Sequence, residues 1–135
     1  AIAAVVLGTS APAVQRLYQS AQYRGAVSDV VSSLNAARVD AIRSGLHEDV
    51  LIDPHARRIV RGDEVLSLPA ELEIEVLAGR ELNRDGAAVI RFYADGGSSG
   101  GHVKLSHRNG MAVEVRVDWL LGRVSLCRED CDRPV

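Results

Sequence analysis

Asp95, Ser98, Ser99 and His102 bring the residue types of a hydrolytic triad within eight positions of one another. A serine nucleophile needs a histidine base and an orienting carboxylate that approach from separate elements, and a single short turn gives them no room to converge. Gly96-Gly97-Ser98-Ser99-Gly100 matches Gly-x-Ser-x-Gly in form. A nucleophile elbow leads into a helix, whereas this run leads into a strand-like segment. Read as a phosphate cradle, the same turn lacks both the Gly-Lys-Ser/Thr ending and a following helix. The residues suit a structural turn better: Gly96 and Gly97 permit positive backbone angles, and Ser98 and Ser99 can bond turn amides. The expectation is that the chain has no catalytic residue and is not an enzyme; a periplasmic enzyme is the least favoured alternative.

Metal and cofactor chemistry is equally poorly supplied. His47, His55, His102 and His107 lack ligand spacing and are expected to be solvated. The acidic tail Arg128-Glu129-Asp130-Cys131-Asp132 has no calcium-loop spacing. Cys127 and Cys131 have three residues between them near the C-terminus, where zinc would need two further ligands. A local disulfide fits better, contributing about 2 kcal/mol by closing a small ring and requiring an oxidising compartment; two free thiols are the alternative. No metal and no cofactor are expected.

Composition excludes other classes. The 135 residues suit one domain, perhaps with an appendage, and the 47% hydrophobic and 25% charged content is that of a globular chain. A net charge of −2 and 4% aromatic residues disfavour a general nucleic-acid binder and base-stacking platforms. Arg57, Arg58 and Arg61, or Arg123, Arg128 and Arg133, could form a basic patch. Asp53, Asp63 and Glu64 flank the first group, and Glu129, Asp130 and Asp132 interrupt the second.

The elements that position these residues begin with a helix. From Ala1 to Val14 only Thr9 and Ser10 are polar, and no charge precedes Arg16. That stretch is too short to span a bilayer, which takes about 20 apolar residues, and reads as residues 1–14 of a membrane or filament helix whose start is missing. Past Pro12, which is tolerated at a first turn, Val14, Leu17, Tyr18, Ala21, Val27, Val30, Val31, Leu34, Ala37, Ala41 and Ile42 follow three- and four-residue steps. Gln15, Gln19, Asp29, Arg38 and Asp40 occupy the opposite face, Gly25 is a weak spot, and Gly45 suits a C-terminal cap. A helix from Ala13 to Ser44 is about 48 Å long.

Beyond it the period changes from helix to strand. Glu48–Asp53, Arg57–Arg61, Glu64–Leu68, Leu72–Leu77, Ala88–Tyr93, Val103–His107, Met111–Val117 and Arg123–Leu126 are short β-rich runs within 48–126, separated by turn residues. Val113, Val115 and Val117 alternate with Glu114 and Arg116, so one face is buried and one wet. The turns suggest consecutive antiparallel hairpins. The roughly 90 residues after the helix form a globule about 30 Å across, shorter than the helix itself. The later helix residues Val27, Val30, Val31 and Leu34 are therefore expected to pack on the sheet. Val14, Leu17, Tyr18 and Ala21 must find lipid or sibling subunits. Trp119 is expected to be a core aromatic closing the sheet over the helix, with an exposed partner-binding anchor as the alternative.

Ile90-Arg91-Phe92-Tyr93-Ala94-Asp95-Gly96-Gly97-Ser98-Ser99-Gly100-Gly101-His102-Val103, followed by Val115-Arg116-Val117-Asp118-Trp119-Leu120-Leu121-Gly122-Arg123-Val124, resembles the minor pseudopilin H family of type II secretion systems. Leu34 to Gly45 followed by a strand is similar to the same family, so the likeness covers most of the chain. The resemblance implies an α+β, type IV pilin-like fold: a long N-terminal α-helix packed on antiparallel β-sheets, with residues 15–135 as the pilin-like domain. It implies a subunit near the tip of a periplasmic pseudopilus that supports export of folded proteins through the outer membrane. The implied partners are other minor and major pseudopilins, the inner membrane through a single-pass N-terminal helix, and secreted substrates; nucleic acid is not expected. The family's cleaved and methylated N-terminus with its early acidic residue is absent here. A DNA-binding minor pilin of the competence type is the runner-up.

Overall fold

The computed structural model describes residues 2–129 and 131, with side chains from residue 13 onward. One long helix, α1 (Ile2–Ser44), is followed by eight strands: β1 (Glu48–Asp53), β2 (Arg58–Arg61), β3 (Glu64–Ser67), β4 (Leu72–Ala78), β5 (Ala88–Phe92), β6 (Gly101–His107), β7 (Ala112–Val117) and β8 (Val124–Cys127). The helix runs through Pro12 instead of starting there. Its 43 residues make a rod of about 65 Å, longer than the span expected from Ala13. Pro12 has no N–H to offer the Gly8 carbonyl, so one rung of the ladder is missing while the helix continues.

The buried stripe of α1 is Tyr23, Ala26, Val27, Val30, Leu34, Ala37 and Ala41, a regular three-and-four repeat. Val31 lies at the margin of that stripe and is half-buried. The helix stops at Gly45, whose φ of 72° is left-handed and whose N–H returns to the Ala41 carbonyl at 3.0 Å.

The strands form two antiparallel sheets, ordered β3-β2-β1-β5 and β4-β6-β7-β8. Hairpin pairing holds for β1-β2-β3 and for β6-β7-β8. It fails between them: β5 pairs with β1, and β4 pairs with β6. The chain therefore passes from the first sheet to the second after β3, back after β4, and across again after β5. Inward residues of both sheets, among them Val50, Ile52, Ile59 and Phe92 from the first and Leu72, Val103, Leu105 and Val115 from the second, join the α1 stripe in one core. The Tyr23 hydroxyl donates to the Leu105 carbonyl at 3.1 Å, tying the helix to the second sheet where it leaves the domain. Cys127, ending β8, is disulfide-bonded to Cys131.

Three sequence expectations are corrected. Trp119 is 67% exposed and is no part of the core. His107 is buried instead of solvated, edge-on to Tyr23 with ring centres 6.1 Å apart and with Nδ1 accepting the Asn109 N–H. Arg38 and Asp40, placed on a polar outer face by periodicity, reach into tertiary contacts.

Candidate assembly surface

The last crossover between sheets is the Asp95-to-Gly100 turn. At its start the Tyr93 and Gly97 backbones are bonded across the turn, Gly96 takes a φ of 93°, and Asp95 Oδ1 accepts the Gly97 N–H at 2.9 Å. Ser99 then locks onto Arg91 in both directions: its N–H donates to the Arg91 carbonyl, and its Oγ accepts the Arg91 N–H. Ser98 is buried. Its N–H donates to the Trp119 carbonyl at 2.9 Å, and its Oγ donates to the Asp118 carbonyl at 2.7 Å. The turn is thereby sewn to the β7–β8 loop, so the two segments that carry the family resemblance form one unit.

That loop is pinned from its other side as well. Asp118 Oδ2 accepts the Leu121 N–H, and the Asp118 carbonyl accepts the Gly122 N–H. Gly122 has a φ of 65°, and a Cβ there would run into the Gly96 carbonyl oxygen. From α1, Arg38 Nε donates to both the Gly96 carbonyl (3.2 Å) and the Leu121 carbonyl (3.1 Å). With the carbonyls of residues 118, 119 and 121 all turned inward, the side chains of Trp119, Leu120 and Leu121 project outward. This is why Trp119 is exposed: the backbone, and not the indole, closes the domain. Beside it lies an open groove of about 890 Å³ on the outer face of the second sheet, crossing Leu77, His102, Arg116 and Ser125.

The hydrolytic residue types are not assembled. Both serines spend their hydroxyls on backbone groups, Asp95 serves its own turn, and His102 faces Glu114 at 3.4 Å, a carboxylate shared with Arg116. Among the described residues no cluster of three or more His, Cys, Asp or Glu could hold a metal ion. Two arginines of the first basic group are engaged within the domain. Arg61 is paired with Asp40 and Glu64, and Arg57 Nε donates to the Leu72 carbonyl. Arg133 lies outside the described residues. Arg128 is near enough to Tyr23 to oppose, in part, the upward push of burial on that phenol. The best-formed ion cluster is structural: Asp49 takes two bonds from Arg91, its cross-strand partner, and one from Arg84. The Arg91 hydrogen bond holds the Asp49 carboxyl below its ordinary value despite desolvation, aided by the charges of Arg91, Arg84 and His47.

The second exposed surface is the helix before the domain. Val14, Leu17 and Tyr18 are 62%, 69% and 68% exposed, and Ala21 is exposed too. Sheet contacts begin only near Tyr23. No described helix is long and apolar enough to cross a membrane.

No protein-family model matches the chain. It is 34% identical over 103 residues to the type II secretion system protein H of Xanthomonas campestris pv. campestris, covering 75% of this chain. The chain spans 60% of that relative's length. Its fold also matches the minor pseudopilin EpsH of the Vibrio cholerae type 2 secretion system, with a TM-score of 0.64 at 14% identity, covering 81% of this chain and 98% of that one.

The chain is similar to protein H of the type II secretion systems and has the fold of a minor pseudopilin.

In a minor-pseudopilin fold the features above take a common meaning. The helix is the spine of the domain, and the Asp95 and Asp118 loops are bonded to each other and to Arg38 of that helix. Sequence reasoning marked both loops but gave no hint that Arg38 joins them; its spacing on the helix reads as solvent-facing, and only the carbonyls of Gly96 and Leu121 reveal its task.

Proposed function

We propose that this chain is a minor pseudopilin, a structural and non-enzymatic subunit of a type II secretion pseudopilus that supports export of folded proteins across the outer membrane. The observation that carries this reading is the rod: α1 outruns the domain it supports and leaves Val14, Leu17, Tyr18 and Ala21 uncovered. Apolar surface of that kind is costly in water and is stabilised by sibling helices or lipid. The relation to protein H supports the same reading. Partners are other minor and major pseudopilins, with the outward Trp119-Leu120-Leu121 loop as a second contact surface. The globular part stands in the periplasm, an oxidising compartment compatible with the Cys127–Cys131 disulfide, and the N-terminal part of the helix, from Ile2, runs towards the inner membrane.

The test separates assembly from folding. Leu17→Asp or Ala21→Asp should leave the domain folded, by circular dichroism and thermal melting, while abolishing its incorporation into the pseudopilus and secretion by the host. Leu34→Asp should instead unfold the domain, because Leu34 is fully buried and an unpaired charge there has no compensation. Normal secretion with Leu17→Asp would refute the proposal.

A further inference from the structure

The β6–β7 hairpin turns through Arg108-Asn109-Gly110, the one place in the chain where an asparagine precedes a glycine. All three residues are exposed, Gly110 has a φ of 97°, and nothing stands within 4 Å of where its Cβ would be. Asparagine is chemically labile. When the backbone nitrogen that follows it reaches its side-chain Cγ, a five-membered ring closes, and a glycine brings no side chain to obstruct that approach.

The turn is held by the same groups that would react. The Gly110 N–H donates to the His107 carbonyl at 3.0 Å, and Asn109 Oδ1 accepts the Met111 N–H at 3.0 Å. The Asn109 N–H donates to His107 Nδ1 at 3.1 Å, and the His107 N–H donates to the Met111 carbonyl at 2.7 Å. His107 is itself buried edge-on to Tyr23, where α1 leaves the domain, and its Nε2 has no hydrogen-bond partner among the described residues. The hairpin tip therefore closes on the seam between the helix and the second sheet, and the ring has no second hydrogen bond to replace the one from Asn109.

We propose that Asn109 is a modification site, converted spontaneously to isoaspartate when the hairpin tip opens, and that the conversion loosens the seam at Tyr23. The Gly110 nitrogen gives its proton to water and bonds to Asn109 Cγ; the Cγ–Nδ2 bond breaks, and ammonia leaves after taking a proton back from water. A second water opens the succinimide, at Cγ to give aspartate or at the Asn109 backbone carbonyl carbon to give isoaspartate. The sum is asparagine plus water giving acid plus ammonia, with nothing oxidised or reduced. In isoaspartate the main chain runs through Cβ and Cγ and is one carbon longer, so Oδ1 is no longer a side-chain acceptor for Met111. The bonds that close the tip on His107 cannot then all be kept. The closed turn restrains the reaction because both reacting groups are occupied, and local opening of the exposed tip sets its pace.

Ageing the full chain, disulfide intact, at mildly alkaline pH and body temperature tests this, with peptic digestion in acid, where the reaction is slow. Asp85-Gly86 and Asp95-Gly96 can form the same ring but without the amide-to-acid mass gain, so they do not confuse the readout. That gain should appear at Asn109 before Asn35 or Asn83, with isoaspartate the larger product. In urea beyond the unfolding midpoint it should accumulate several-fold faster than in the native protein. The isoaspartate form, purified by chromatography, should melt roughly 4–8 °C below fresh protein and exchange the His107 and Met111 amides faster. Asn109→Asp, which carries the added charge on a normal backbone, should stay close to the parent. Conversion first at Asn35 or Asn83, equal rates in folded and unfolded chain, or an isoaspartate form as stable as Asn109→Asp would overturn the proposal.

Discussion

Replacing Arg38 by alanine removes a single side chain that holds two loops. Its Nε is shared between the Gly96 and Leu121 carbonyls at 3.2 and 3.1 Å, one bond half-buried and the other exposed. A hydrogen bond from a charged donor contributes about 1.5–3 kcal/mol when shielded, but water can reach the Leu121 carbonyl and replace part of the loss. The expected cost is about 1–2 kcal/mol, a fall in Tm of roughly 4–8 °C for a domain of this size. The core is untouched, so the transition should remain cooperative. Trp119, the only tryptophan, sits in the loop that is released. It is already exposed, so its emission should barely move, while its anisotropy should fall and acrylamide quenching should rise. Arg38→Lys, which keeps the charge but loses the planar donor, should lie between the two. An unchanged Tm together with unchanged Trp119 anisotropy would show that the loops hold each other without the helix, and the reasoning would fail.

Gly122→Ala should cost more than about 2 kcal/mol, because φ is positive and the new methyl meets the Gly96 carbonyl; Gly25→Ala, with open space around it in the helix, should stabilise by about 0.5–1 kcal/mol. Urea titration of the two variants checks both signs. Because the folded Asp49 carboxyl is held below its unfolded value of 3.8, its contribution is present above about pH 4 and is lost as pH falls further. Asp49→Asn should therefore be less stable at neutral pH and show a shallower acid limb in a stability-against-pH series; superimposable acid limbs would contradict this. Reducing Cys127–Cys131 should lower stability by about 2 kcal/mol at most and loosen the tail while leaving the sheets intact, as read by melting and amide exchange with and without reductant.

The sequence by itself determined the local elements. The alternation Val113, Val115, Val117 against Glu114 and Arg116, and turn residues such as Asn109-Gly110, mark strands within a residue or two of β7 and its neighbours, because side-chain period and turn chemistry are properties of adjacent residues. The helical stripe from Val27 to Ala41 is legible for the same reason. The family likeness of the Asp95 and Asp118 segments was legible too, though not what joins them. Only the tertiary structure decided that β4 and β5 exchange sheets, since several strands of similar pattern can pair in more than one order. It also turned Trp119 outward, against the ordinary preference of a large aromatic, because the carbonyls around it are held by Ser98 and Arg38. Apolar character can be read from composition and spacing, but which backbone groups compete for the interior depends on residues 58 and 83 positions apart meeting in space.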